Sequence, residues 1–297
     1  MGGIVEKVDI IGVQMDLGAS RRGVNMGPLA IRYSDICRKM SELGISWRDK
    51  GDIIPRLDTE TVCDNFRQIT DANRRLFEAV SASLREGCMP VVLGGDHSIA
   101  AGSIPAVAAA DPGVGIIWID AHGDFNNMES SATGNIHGMP FSAVCGLGPS
   151  GLADFAEPPV YVDPRRCVQI GARDIDPPER IRMREAGVTV FSMTEIDKLG
   201  MTEVLERAIR IASSGSGKIH VSFDIDAVTP QKAPGVGTPV HSGLTVREAF
   251  LAAEMLAESG RVISLDMVEV NPILDEKNKT AQLACELILS LLGKIVY

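Results

Sequence analysis

Short apolar segments alternate along this chain with longer segments in which apolar residues recur every three or four positions. The short segments are rich in Val and Ile and predict strands at 8–13, 90–93, 114–119, 168–170, 188–191, 219–223 and 262–265. The longer segments predict helices at 70–86, 99–110, 202–212, 245–258 and 280–292. Near-continuous apolar strands that alternate with helices are typical of a parallel sheet covered on both faces. We therefore expect an α/β fold, a three-layer α/β/α sandwich with a mainly parallel sheet, and a single domain over residues 1–297.

Polar clusters follow four of the predicted strands directly. They are GGDHS at 94–98, DAHGD at 120–124, DID at 224–226 and the single carboxylate Glu269. Ligands of open parallel α/β sheets bind beyond the carboxyl ends of the strands. We therefore expect these clusters, distant in sequence, to converge in space.

The clusters contain residue types that bind metal ions. Asp120, His122 and Asp124 alternate along the chain, and alternate side chains of an extended segment project to one side. Asp224 and Asp226 repeat the arrangement, and carboxylates grouped in this way resist burial unless a cation compensates them. One such cluster alone is commonly a polar loop at a strand end, but the recurrence at three strand ends favours a metal site. The six candidate ligands are His97, Asp120, His122, Asp124, Asp224 and Asp226.

The donor set and the overall composition narrow the class of function. Four carboxylates and two imidazoles suit two divalent ions, and favour manganese-like ions over thiolate-bound zinc. The formal net charge of −10 and the lack of clustered Lys and Arg argue against nucleic acid as a partner. The first ten residues do not resemble a signal peptide, no segment is apolar enough to span a bilayer, and the six cysteines show no paired spacing. We expect a cytoplasmic protein with reduced thiols that does not associate with membranes.

Four motifs in order, GGDHS, DAHGDFN, SFDID and EVNP, resemble the ureohydrolases, the family of arginases, agmatinases and their relatives. The resemblance extends over nearly the whole chain and is greatest to bacterial arginases. It implies a parallel eight-stranded sheet, two Mn²⁺ ions, and a trimer or hexamer of identical chains. It also implies that Asp120 and Asp224 bridge the ions, with His97 and Asp124 completing one site and His122 and Asp226 the other.

The resemblance also implies how a guanidino substrate is hydrolysed. The catalytic residues would be His137 as proton shuttle, Glu269 as acceptor of the guanidinium N–H groups, and Asp124. Without the resemblance, His137 is equally well interpreted as a loop histidine that caps local backbone. Glu269 has the alternative of a buried ion pair with an internal arginine.

Other positions match those that hold the far end of the substrate. Asn126 and Thr133 would bind the α-carboxylate of arginine, Asp176 its α-amine, and Thr238 would lie close to the guanidinium and Glu269. Turn and cap chemistry is the alternative for Asn126, Thr133 and Thr238. The resemblance therefore predicts hydrolysis of L-arginine to L-ornithine and urea. The alternative is another guanidino compound, such as agmatine or guanidinobutyrate.

Three further residues qualify the match. Thr229 occupies the position at which the family usually has a third carboxylate after Asp224 and Asp226. His241 stands where relatives have small residues, and we interpret it as a solvated loop side chain, with a rim residue or an adventitious ligand as alternatives. His220 shares strand parity with the ligands, and we interpret it as a supporting or core histidine rather than a ligand.

Overall fold

The computed structural model describes residues 5–56 and 65–294, so Cys63 lies outside the described residues. Eight strands form one sheet in which every described pair is parallel. The strands are β1 Lys7–Val13, β2 Ser46–Ile53, β3 Met89–Leu93, β4 Gly115–Ile119, β5 Cys167–Ala172, β6 Thr189–Ser192, β7 Ile219–Asp224 and β8 Val262–Val268. Their order across the sheet is β2-β1-β3-β8-β7-β4-β5-β6. The expected α/β fold with a parallel eight-stranded sheet is confirmed.

Helices cover both faces of the sheet. They are α1 Gly27–Arg32, α2 Ile36–Glu42, α3 Asn65–Arg85, α4 Ala100–Ala110, α5 Pro140–Val144, α6 Pro177–Ala186, α7 Met193–Leu199, α8 Met201–Ala212, α9 Val246–Glu258 and α10 Lys279–Leu291. Two buried apolar clusters, one on each face, make the three layers. One packs α1, α2 and α7–α10 against the sheet, and the other packs α3–α6 against it.

Neighbouring residues of the central strands belong to opposite clusters. In β4, Ile117 and Ile119 join one cluster, and Ile116 and Trp118 join the other. Side chains alternate across a strand, so a strand buried on both faces must be apolar throughout. This is why the sequence shows continuous apolar segments at these positions.

Elements with weak sequence patterns were missed. All seven predicted strands and all five predicted helices are present, with ends shifted by up to a few residues. The predictions lacked β2, an edge strand that pairs with β1 alone among the described strands and whose side chains are mostly exposed. They also lacked α1, α2, α5, α6 and α7, each of ten residues or fewer, which are too short to display a clear helical period.

Two other expectations concern membranes and thiols. No helix in the described part of the chain has the length and apolar character needed to cross a bilayer. The five described cysteines are free thiols, and four of them are buried.

Candidate metal centre and active site

The ligand candidates meet where β3, β4 and β7 end. Nδ1 of His97 lies 3.0 Å from Oδ2 of Asp120, 3.1 Å from Oδ2 of Asp124 and 3.4 Å from Oδ2 of Asp224. Two overlapping groups of donor atoms are close enough to hold a metal ion each, and Asp120 belongs to both. The groups are His97 with Asp120 and Asp224, and His122 with Asp120 and Asp226.

Alternation along an extended chain does not account for the positions of Asp124 and Asp226, and the prediction is wrong for these two residues. Asp124 has a φ of 50°, in the left-handed region, so the chain after β4 is not extended there. Asp226 lies in a 3-10 turn, Ile225–Ala227, which the Asp224 side chain caps by accepting from the Asp226 N–H at 2.7 Å. Backbone turns therefore aim these carboxylates at the site.

The charges of the site call for a cation. Burial and the negative charges of Asp226 and Asp120 raise the pKa of Asp224 well above its usual value. Burial and Asp120 raise the pKa of Asp124 to about 6. Burial alone would lower the pKa of His97, but the nearby carboxylates of Asp120, Asp124 and Asp224 raise it. Buried carboxylates that disfavour each other's ionised form fit a positively charged ion at their centre.

Unsatisfied buried atoms support the same conclusion. Nδ1 of His97 and Oδ2 of Asp124 are buried and have no hydrogen-bond partner, although they lie 3.1 Å apart. Donor atoms that converge without hydrogen-bonding geometry are typical of ligands arranged around an ion, and buried polar atoms are rarely left unpaired otherwise. The residues present therefore fit a pair of metal ions.

Aromatic and hydroxyl groups fix the ligands from behind. The indole N–H of Trp118 donates to Oδ2 of Asp120 at 2.9 Å, and its ring stacks on His97 with centroids 4.0 Å apart. Phe141 stacks on the other face of Trp118 at 4.5 Å. The Ser222 hydroxyl lies 2.8 Å from Nε2 of His97, which directs Nδ1 toward the carboxylates.

His137 and Glu269 form a second pair beside the ligands. Nδ1 of His137 lies 3.0 Å from Oε1 of Glu269, which also accepts the backbone N–H of His97 at 2.9 Å. Burial would lower the pKa of His137, but the hydrogen bond and the charge of Glu269 raise it to about 9. Oε2 of Glu269 is buried and has no partner, and no described arginine or lysine pairs with this carboxylate. The alternative of an ion pair with an internal arginine is therefore wrong within the described chain.

A cavity of about 190 Å³ opens above these groups. Eight of the predicted site residues line it: His122, Asp124, Asn126, Thr133, His137, Asp176, Asp224 and Thr238. His97, Asp120, Asp226 and Glu269 lie buried beneath it. The Asn126 amide N–H lies 3.5 Å from a carboxylate oxygen of Asp176, and the Thr238 hydroxyl donates to Asp226 at 3.3 Å.

Four more residues line the cavity that sequence reasoning had not placed in the site. They are Ser131, Asn135, Asp174 and Glu179, to which Gly138 adds backbone only. Glu179 is buried, and burial together with the negative charge of Asp124 raises its pKa to about 8. Its spacing after Asp176, on a helix too short to predict, gave no sequence signal beyond a helix-capping pattern.

The three qualifying residues lie away from the donor atoms. The His241 side chain is exposed, and its backbone carbonyl accepts from Arg173 at 3.1 Å. The Thr229 hydroxyl donates to the side chain of Gln231 rather than to a ligand. His220 is a core histidine: its Nδ1 lies 2.7 Å from the Ser264 hydroxyl, inside the sheet.

An α/β sheet with paired His and Asp ligands beyond its strand ends defines the class of binuclear metal hydrolases. The model of the arginase family matches residues 6–293. Arginase from Bacillus subtilis (strain 168) is 44% identical over 290 residues, which are 97% of this chain and 98% of that protein. The native structure of arginase from Bacillus caldovelox is 44% identical, with a TM-score of 0.94, over 98% of this chain and 100% of that one. A hypothetical agmatinase from Burkholderia thailandensis is 26% identical with a TM-score of 0.75, over 97% of this chain and 85% of that one. The chain belongs to the arginase family.

Proposed function

We propose that the protein hydrolyses L-arginine to L-ornithine and urea with the help of two Mn²⁺ ions. The observation that carries this proposal is the convergence of two overlapping ligand groups with the His137–Glu269 pair at one cavity. A purely structural metal site does not require an accessible histidine paired with a buried carboxylate whose second oxygen is unsatisfied.

The metal residues would divide as follows. His97 and Asp124 would serve one ion, His122 and Asp226 the other, and Asp120 and Asp224 would bridge. Oxygen-rich ligands favour Mn²⁺ over zinc. Two such ions supply Lewis-acid chemistry that makes hydroxide available from water near neutral pH.

The protein's own groups would orient the substrate and move protons. The free Oε2 of Glu269 can accept from the planar N–H groups of a guanidinium, which would point its carbon toward the ligand groups. The hydrogen bond to Glu269 and the charge of that carboxylate favour the protonated form of His137, and its position at the cavity would let it donate the proton to the leaving amine. Thr238, whose hydroxyl donates a hydrogen bond to Asp226, would form the wall of the cavity next to the guanidinium.

Recognition of the far end distinguishes arginine from agmatine, which lacks the α-carboxylate. Asn126 and Thr133 offer an amide and a hydroxyl to that carboxylate, and Asp176 offers a negative charge to the α-amine. The greater identity to proteins named arginase than to the hypothetical agmatinase supports arginine as substrate.

The test is urea release by the Mn²⁺-loaded protein from arginine, agmatine and guanidinobutyrate. We expect release from arginine with the highest kcat/KM. Release from agmatine but not from arginine would overturn the substrate while sparing the chemistry. No release from any of the three would overturn the proposed function.

A matched pair of histidine variants tests the metal pair. His122→Ala should lose one bound ion and most of the activity, because it removes a donor atom 3.1 Å from Asp226. His241→Ala should keep both ions and the activity, because that side chain is exposed away from the cavity. Full turnover by His122→Ala would contradict the two-metal proposal. A single domain over 1–297, a trimer or hexamer, and a cytoplasmic location stay predictions.

A further inference from the structure

The chain that carries Asp124 takes an unusual path. Asp124 combines a left-handed backbone, with a φ of 50°, and a side chain that reaches 3.1 Å from His97. A non-glycine residue in this region persists only where its surroundings hold it. Asn126, another cavity residue, follows two positions later. A contact that fixes the backbone of Phe125, the residue between them, therefore constrains both Asp124 and Asn126.

Helix α6 contacts both the backbone N–H and the backbone carbonyl of Phe125. Oε1 of Glu179 accepts the Phe125 N–H at 2.7 Å, and Nε of Arg182 donates to the Phe125 carbonyl at 3.2 Å. The first contact fixes the peptide group after Asp124, and the second fixes the peptide group before Asn126. Glu179 and Arg182 are three positions apart and so lie on one side of the helix.

Each of the two side chains also holds a second segment. Oε2 of Glu179 accepts the N–H of Asp176 at 3.3 Å, within the capping box that begins α6. Nη2 of Arg182 donates to the carbonyl of Leu147 at 2.6 Å. The Glu179 carboxyl also packs directly against the backbone of Gly123, because a Cβ there would lie 2.5 Å from the Glu179 carboxyl carbon. The loop is therefore braced against α6.

We propose that Glu179 and Arg182 are positioning residues that hold the Asp124 carboxylate in place for the ion it would bind. The inference rests on the proposed function only in assigning Asp124 as a ligand. Its consequence is specific, because the brace acts on Asp124 and leaves His122 and Asp226, the donors of the other group, without a contact to α6 among the described hydrogen bonds.

The test compares two arginines of the same helix. Arg182→Met removes the donors to Phe125 and Leu147 while keeping side-chain length, and Arg184→Met removes an exposed guanidinium that makes none of these contacts. Mn²⁺ is titrated into metal-free protein by calorimetry and by the electron paramagnetic resonance signal of free Mn²⁺. Thermal unfolding of the metal-free proteins is recorded alongside.

We expect Arg182→Met to lower the affinity for one of the two Mn²⁺ ions about tenfold and to leave the affinity for the other unchanged. A tenfold loss is the scale expected when a residue that supports a metal ligand is removed. Glu179→Gln should weaken the same ion less, because glutamine keeps one oxygen for the Phe125 N–H. Arg184→Met should bind both ions as the unmodified protein does.

If Arg182→Met binds both Mn²⁺ ions with the affinities of the unmodified protein, the proposal is overturned. Equal weakening in Arg184→Met would also overturn it, because the effect would then belong to the helix as a whole. If Arg182→Met does not fold, Arg182→Lys decides: its ammonium can reach one of the two carbonyls, so intermediate affinity supports the brace and wild-type affinity overturns it. The titrations need no substrate, so a protein that binds two ions without hydrolysing arginine would fail the proposed function and still test this one.

Discussion

Trp118 is the buried side chain whose loss should reveal how the metal centre is supported. It is fully buried in β4, and its indole N–H donates to Asp120 at 2.9 Å. Burial would raise the pKa of Asp120, but the neighbouring His122 and His97 rings hold that pKa far below its usual value, which favours the ionised carboxylate. Replacement of Trp118 by Phe keeps an aromatic ring between His97 and Phe141 but removes the N–H and part of the ring volume.

Two losses set the magnitude of the effect. A hydrogen bond to a charged group contributes roughly 1.5–3 kcal/mol, and its carboxylate partner would be left buried without that donor. The cavity left when the smaller phenyl ring replaces the indole costs about 1 kcal/mol more, a fraction of the cost of removing a whole aromatic side chain. We therefore expect Trp118→Phe to lower the free energy of unfolding by about 2–4 kcal/mol.

The assay is urea unfolding of metal-free protein, followed by far-ultraviolet circular dichroism because tryptophan fluorescence changes with the substitution. Trp47→Phe is the matched control: it removes an indole N–H that donates to the neutral Ser41 hydroxyl at 2.8 Å near the surface. That loss should cost about 1 kcal/mol. A Trp118→Phe protein that is no less stable than Trp47→Phe would refute the reasoning, because the charged partner and the burial would then contribute nothing.

Three further predictions test catalysis, pH dependence and packing. His137→Asn should lower kcat about 10²–10⁴-fold, because the proton donor is lost, while metal analysis still finds two ions. Arg48 donates to both carboxylate oxygens of the buried Asp9 at 2.7 Å, and these bonds outweigh burial and lower the pKa of Asp9. The unmodified protein should therefore have a larger free energy of unfolding in urea than Asp9→Asn. This difference should be complete above about pH 4 and shrink as the pH falls through the folded-state pKa of Asp9. Gly95→Ala should destabilise the protein by about 3 kcal/mol or more in thermal unfolding, because its Cβ would lie 1.7 Å from the Met15 carbonyl oxygen.

Each of these predictions has an outcome that contradicts it. An undiminished kcat in His137→Asn would remove that residue from proton transfer. A stability difference between the unmodified protein and Asp9→Asn that stays constant into the acid range would show that Asp9 titrates alike in the folded and unfolded chains. Unchanged stability of Gly95→Ala would mean that the backbone near Met15 can move aside.

The candidate site was largely predictable because chemistry-bearing residues follow apolar strands in the sequence. Asp120, Asp224 and Glu269 all stand at the carboxyl end of a strand, and parallel strands bring such ends to one edge. The side chains that support the ligands were not predictable. Trp118 is one more apolar residue of β4 in the sequence, and only its stacking against Phe141 of α5 and against His97 shows that it joins α5 to the candidate metal centre.

The sequence by itself determined the central strands, the longer helices and the candidate ligand residues, because burial on both faces requires continuous apolar segments and a metal site requires particular donor atoms. It did not determine β2, whose polar side chains carry no burial signal, or the short α6. Only the tertiary structure decided how Asp124 and Asp226 are aimed, since a left-handed residue and a 3-10 turn, not strand alternation, direct them. It also placed Glu179 and Arg182 against Phe125, because a contact between segments more than fifty residues apart depends on how the helix packs and not on local sequence.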